Sequence, residues 1–129
     1  MIKSVIKDWH SIVEAKNIAD LENLIADDAV FFSPVVHSPQ VGKAITFQYL
    51  SAALLVFGND TFRYVREICD GNDGVLEFEV DIDGIAVNGV DIIKCDNDGK
   101  IIEFKVMLRP LKGVNIIHQK MMAMLAVNS

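Results

Sequence analysis

The sequence predicts an α+β fold, with helices first and an antiparallel meander after them. Apolar residues recur at helical three-and-four spacing as far as Phe57, and beyond residue 60 the period falls to two. Gly58-Asn59, "DGNDG", "DG" and "DNDG" punctuate the segments, and no repeat or low-complexity stretch interrupts them. Helices grouped ahead of strands are the pattern of an α+β domain rather than of alternating βαβ units.

Each element follows from its own pattern. Ile2, Val5, Ile6, Trp9, Ile12 and Val13 make one helical face with charges between them. After Lys16-Asn17 the pattern resumes at Ile18, Leu21, Leu24 and Ile25, predicting a second short helix ending near Asp27-Asp28. "AVFFS" reads as extended, and Pro34 and Pro39 keep the next segment irregular or edge-like, since proline donates no ladder hydrogen bond. A third helix spans Gly42 to Phe57, apolar on two stripes, with Gly58 expected as a left-handed cap. Strands are expected over Thr61–Cys69, Val75–Ile82, Ile85–Cys95 and Ile101–Arg109, followed by Pro110 and a terminal helix over Leu111–Val127.

Composition bounds the function. A chain of 129 residues buries one core, so a single domain over 1–129 is expected. The longest apolar run, Ala52 to Phe57, is far short of the ~18 residues of a membrane span. Lys3, Lys7 and Asp8 interrupt the N-terminal apolar residues, so no secretory signal is read there. A net charge of −6 opposes a phosphate backbone, which excludes nucleic acid as an expected partner. Cys69 and Cys95 lack the spacing of metal or redox motifs and are read as buried free thiols in a cytoplasmic protein.

Strand parity singles out one residue. If Asp83-Gly84 is a two-residue turn, Ile82 opposes Ile85, Val80 opposes Val87, Phe78 opposes Gly89 and Leu76 opposes Asp91. If Asp96 to Gly99 is a four-residue loop, Cys95 opposes Lys100, Ile93 opposes Ile102 and Asp91 opposes Phe104. Opposed residues share a face, so one face holds Leu76, Phe78, Val80, Ile93, Phe104 and Val106, and Asp91 is the lone carboxylate among them. The other face receives the charges, with Val90, Ile92, Ile101 and Met107 interspersed. A carboxylate in apolar surroundings is disfavoured in its charged form, which raises its pKa and marks a candidate site. The alternatives are a structural aspartate accepting backbone N–H bonds near Gly89, or a bulge at Asn88-Gly89 that turns Asp91 outward.

"ADLENLIADDAVFFSPVV", then Gly42 followed by "AI" and "YL", then "GVDIIKCDNDGKIIEFKV" resemble the nuclear transport factor 2-like superfamily, and within it the SnoaL-like group of polyketide cyclases and ketosteroid isomerases. The resemblance covers roughly residues 5 to 110. It implies a curved antiparallel or mixed sheet wrapped around the N-terminal helices as a cone, an apolar pocket at the open end, and commonly a homodimer. In ketosteroid isomerases an acid in the strand before the last hairpin stays protonated to stabilise an oxyanion, as the best-known example of a neutral carboxyl at pH ~7. Asp91 falls on that position, the family's base falls on Ser33, and its first-helix tyrosine falls on Trp9. Serine without a base cannot accept an α-proton, and indole carries no acidic hydroxyl.

Two functions follow as expectations. One is proton-transfer chemistry on a small, mostly apolar carbonyl compound, with Asp91 as acid, or base if ionised, and His37 on the loop after "SPVV" as proton shuttle. Trp9, Ser33 and Tyr49 would orient the ligand, and Leu76, Phe104 and Val106 would line its pocket. The other is a non-catalytic ligand-binding or association module on the same cone. No cofactor or metal is expected: in "DNDG" lysines stand where calcium ligands are needed, and His10, His37 and His118 are scattered. Ser33, His37 and Asp91 include triad residue types, but no strained elbow surrounds Ser33.

Overall fold

The computed structural model describes residues 1–128. Its elements are α1 (Ile2–Ala15), α2 (Ile18–Leu24), β1 (Ile25–Phe32), β2 (Gln40–Val41), α3 (Lys43–Phe57), β3 (Arg63–Asp70), β4 (Asp73–Ile82), β5 (Ile85–Cys95), β6 (Ile101–Arg109) and α4 (Leu111–Asn128). The strands form one curved mixed sheet in the order β2-β1-β6-β5-β4-β3, in which β1 runs parallel to β6 and every other pair is antiparallel. The expected α+β architecture is what the chain adopts.

In α1 the predicted stripe is the buried one, Ile2, Val5, Ile6, Trp9 and Ile12, and Lys16 ends the helix in the left-handed conformation. The Asn17 side chain then accepts from the Asp20 N–H at 3.1 Å and caps α2. This helix is shorter than expected. It stops at Leu24 because Ile25 already pairs with Ile101, and Asp27-Asp28 lie in β1.

Gly58 stops α3, although not as a left-handed cap: its φ is −80°. What demands glycine there is space, since an added Cβ would lie 2.4 Å from the Leu54 carbonyl oxygen and 2.6 Å from the Lys16 side chain.

The β4–β5 hairpin has the predicted register throughout, Ile82↔Ile85 to Leu76↔Asp91, with no bulge at Asn88-Gly89. The next hairpin differs. Cys95 opposes Ile101 rather than Lys100, Ile93 opposes Phe104 rather than Ile102, and Asp91 opposes Val106 rather than Phe104. A bulge between Lys94 and Cys95 shifts the ladder by two residues along most of its length, which preserves parity, so Phe104 and Val106 remain inward. At the bulge itself parity fails: Ile101 is fully buried rather than on the outer face, and Ile102 is half-buried. Both cysteines are free thiols, Cys95 buried and Cys69 only half-buried.

The core lies inside the curve of the sheet. Trp9, Phe31, Leu50, Leu76, Ile93 and Phe104 belong to one buried group, and Phe78, Val80, Val87 and Ile117 to a second that α4 covers. No helix of the described residues is long and apolar enough to cross a membrane.

Candidate functional site

Asp91 is buried, 6% exposed, midway along β5 with Leu76 and Val106 opposite it on the two neighbouring strands. It lies on the wall of a cavity of ≈ 50 Å³ formed by α1, α3 and the inner face of the sheet. Trp9 and Val13 come from α1, Leu50 and Phe57 from α3, and Phe104 and Val106 from β6. Leu76 is buried beneath and is not part of that wall.

The polar side chains of the cavity form one chain. Trp9 Nε1–H donates to the Tyr64 hydroxyl at 2.9 Å, and that hydroxyl donates to Asp91 Oδ2 at 2.8 Å. The proton positions follow from chemistry. An indole nitrogen can only donate, so the Tyr64 oxygen accepts from Trp9 and its single proton goes to Asp91. Among the described residues nothing partners Asp91 Oδ1, which is left for whatever occupies the cavity.

Burial raises the Asp91 carboxyl to about 7, against which the Tyr64 hydrogen bond pulls it down. Burial also pushes the Tyr64 hydroxyl up, reinforced by the neighbouring Asp91 charge and opposed by the Trp9 bond. Among the described residues no lysine or arginine lines the cavity to favour the carboxylate. The site therefore presents an acid that gains and loses its proton near neutrality in apolar surroundings.

Tyr64 was not among the residues expected from sequence. A bulge between Tyr64 and Arg66 interrupts β3, and it places Tyr64 opposite Phe78 on the inner face while Arg66 opposes Glu77 on the outer. Two signals pointed to it: Phe62 and Tyr64 are aromatic at a spacing of two, and a buried Trp9 needs an acceptor for its N–H.

The remaining expected site residues fall elsewhere. Ser33 and Tyr49 line a second cavity of ≈ 60 Å³ between α3, α4 and the 33–36 segment, which meets the first at Ala53, Phe57 and Val106. His37 is exposed on its loop and lines neither cavity, whereas His118 of α4 lines the second. Among the described residues no group of three or more His, Cys, Asp and Glu is placed to hold a metal ion.

A curved mixed sheet closed over helices, with a lone acid inside, defines a nuclear transport factor 2-like cone of the ketosteroid-isomerase-like type. The model of the SnoaL-like domain matches residues 6–104, and the chain belongs to this family. Among solved structures it is similar to a steroid delta-isomerase from Pseudomonas aeruginosa, with 33% identity and a TM-score of 0.92 over 98% of this chain and 93% of that one. An uncharacterized protein with a cystatin-like fold from Silicibacter pomeroyi is 28% identical, with a TM-score of 0.84 over 92% of this chain and 83% of that one. An NTF2-like protein of unknown function from Mesorhizobium loti shares the fold at 18% identity, with a TM-score of 0.73 over 84% and 91% of the two chains. No curated protein sequence matches the chain.

Proposed function

We propose that the protein binds a small, mostly apolar carbonyl compound at Asp91 and promotes proton transfer next to the carbonyl, in an isomerase- or cyclase-like reaction. The observation that carries this reading is the Trp9–Tyr64–Asp91 chain, which anchors one carboxyl oxygen and leaves Oδ1 for a ligand inside an apolar cavity. When ionised, Asp91 takes an α-proton from the carbonyl compound on Oδ1 and returns it to the γ-carbon while Tyr64 holds Oδ2; when protonated, the same Oδ1 donates to the carbonyl oxygen and binds the compound. The similarity to a steroid delta-isomerase supports this class of chemistry. Two free thiols fit a cytoplasmic setting.

A second reading, ligand binding without turnover, is favoured by Ser33 standing where the resemblance sets a base. Among the described residues no second carboxylate lines the Asp91 cavity, so the ionised fraction of Asp91 is the remaining acceptor for an α-proton there. The two readings separate on a panel of β,γ-unsaturated ketones followed by absorbance of the conjugated product. Proton-transfer catalysis requires product formation by the wild type that Asp91→Asn reduces at least ~100-fold. Equal rates in the two proteins would refute it, and tight binding with no product would establish the binding module.

A further inference from the structure

Neither cavity alone has room for a ring. An apolar cavity of about 150 Å³ is the size that accepts benzene, whereas these hold ≈ 50 and ≈ 60 Å³. They abut, with Ala53, Phe57 and Val106 common to both walls, and because even joined they fall short of that size, a ring enters only if the Phe57 side chain swings out of the shared wall. Phe57 is the largest of the three and stands on the last turn of α3.

The second cavity is apolar except for three side chains with unused hydrogen-bonding capacity. Ser33 Oγ accepts the Val35 N–H at 3.1 Å, which leaves its own proton free. The Tyr49 ring stacks on Phe31 at 5.0 Å, while its hydroxyl has no partner among the described residues. His118 has neither a hydrogen bond nor an ion pair among them, and it lies beyond residues 6–104 that the family model matches. Ser33 comes from the segment after β1, Tyr49 from α3 and His118 from α4.

We infer that the two cavities are the two ends of one ligand site, divided by Phe57 when empty, and that the ligand carries an oxygen acceptor at each end: one held by Asp91, the other by Ser33, Tyr49 and His118. The inference rests on the carbonyl-binding reading above and adds the second recognition point. Three hydrogen-bonding groups around apolar walls suit a hydroxyl or ketone oxygen on a flat apolar body better than a bare hydrocarbon end, because an apolar end would leave them unpaired.

Matched pairs of rigid probes test this: phenol against hydroquinone, and para-phenylphenol against para,para-biphenol, titrated calorimetrically near pH ~6 where Asp91 keeps its proton. In the wild type the second hydroxyl of one pair should tighten binding about tenfold, beyond the twofold its symmetry supplies. In the triple variant Ser33→Ala, Tyr49→Phe, His118→Phe that gain should vanish while the single-hydroxyl probe binds as before. Tyr49→Phe keeps the ring on Phe31 and His118 is exposed, so the variant retains its packing. A gain absent from both pairs, or one that survives in the triple variant, would overturn the inference and leave the Asp91 reading in place. Failure of the single-hydroxyl probes to bind would overturn both.

Discussion

The Asp91 carboxyl loses its proton near pH 3.8 in an ordinary setting and near 7 in the folded protein. Between those values the native state holds a proton that the unfolded chain has released, so stability falls as pH rises from about 4 through 7 and levels off above it. One pKa unit is worth ~1.36 kcal/mol, so the loss is on the order of 4 kcal/mol. Asp91→Asn removes this dependence while keeping an acceptor for Tyr64. At pH ~8 the variant should therefore resist urea better than the wild type, and the difference should close towards pH ~4; parallel curves at both pH values would show that burial does not perturb this acid. The residue was legible in the sequence because Asp83-Gly84 fixes a two-residue turn and alternation from there is strict. Tyr64, its partner, was not: the meeting of α1, β3 and β5 depends on tertiary packing, and a bulge breaks the parity that would have traced it.

Among the elements, the β4–β5–β6 meander positions the site, and Gly89 shows how closely it is packed. A Cβ at this position would lie 2.5 Å from Phe78 Cζ, 2.7 Å from Leu108 Cδ2 and 2.8 Å from the Met107 carbonyl oxygen. Phe78 is packed against Phe57, Phe62 and Tyr64, and the backbone oxygen cannot yield without bending β6. Gly89→Ala should cost about 1–3 kcal/mol in urea unfolding, with no cost expected if the ladder were loose. The lone inward acid survived an incorrect loop assumption in the second hairpin because the true register differs by two residues, an even number. Ile101 and Ile102 did not survive it, since a bulge is invisible to alternation counting. The end of α2 was misplaced for a related reason: Ile25 continues the helical spacing, yet its pairing with Ile101 draws it into the sheet.

On the scale of the whole molecule, the helices fill the inside of the curve and leave the other face of the sheet uncovered. Two rows cross that face, Ile68–Val75–Ile92–Lys105 and Arg66–Glu77–Val90–Met107, mixing apolar side chains with charge. Ile68 is 55% exposed and Met107 52%. We propose that this face joins two copies of the chain, apolar rows meeting and charges at their margins. Light scattering at micromolar concentration should give twice the 14.3 kDa chain mass, and Met107→Glu should return the monomer; a wild-type monomer would remove the proposal.

The acid, its tyrosine and its tryptophan all lie within residues 6–104, whereas α4, which roofs the second cavity, begins at Leu111. Ser33 and Tyr49 of the second cavity lie in that same stretch of residues 6–104, and α4 adds His118 to them. No residue of α4 lines the Asp91 cavity among the described residues, so a substitution at His118 would alter the far wall without touching the surroundings that hold the Asp91 proton.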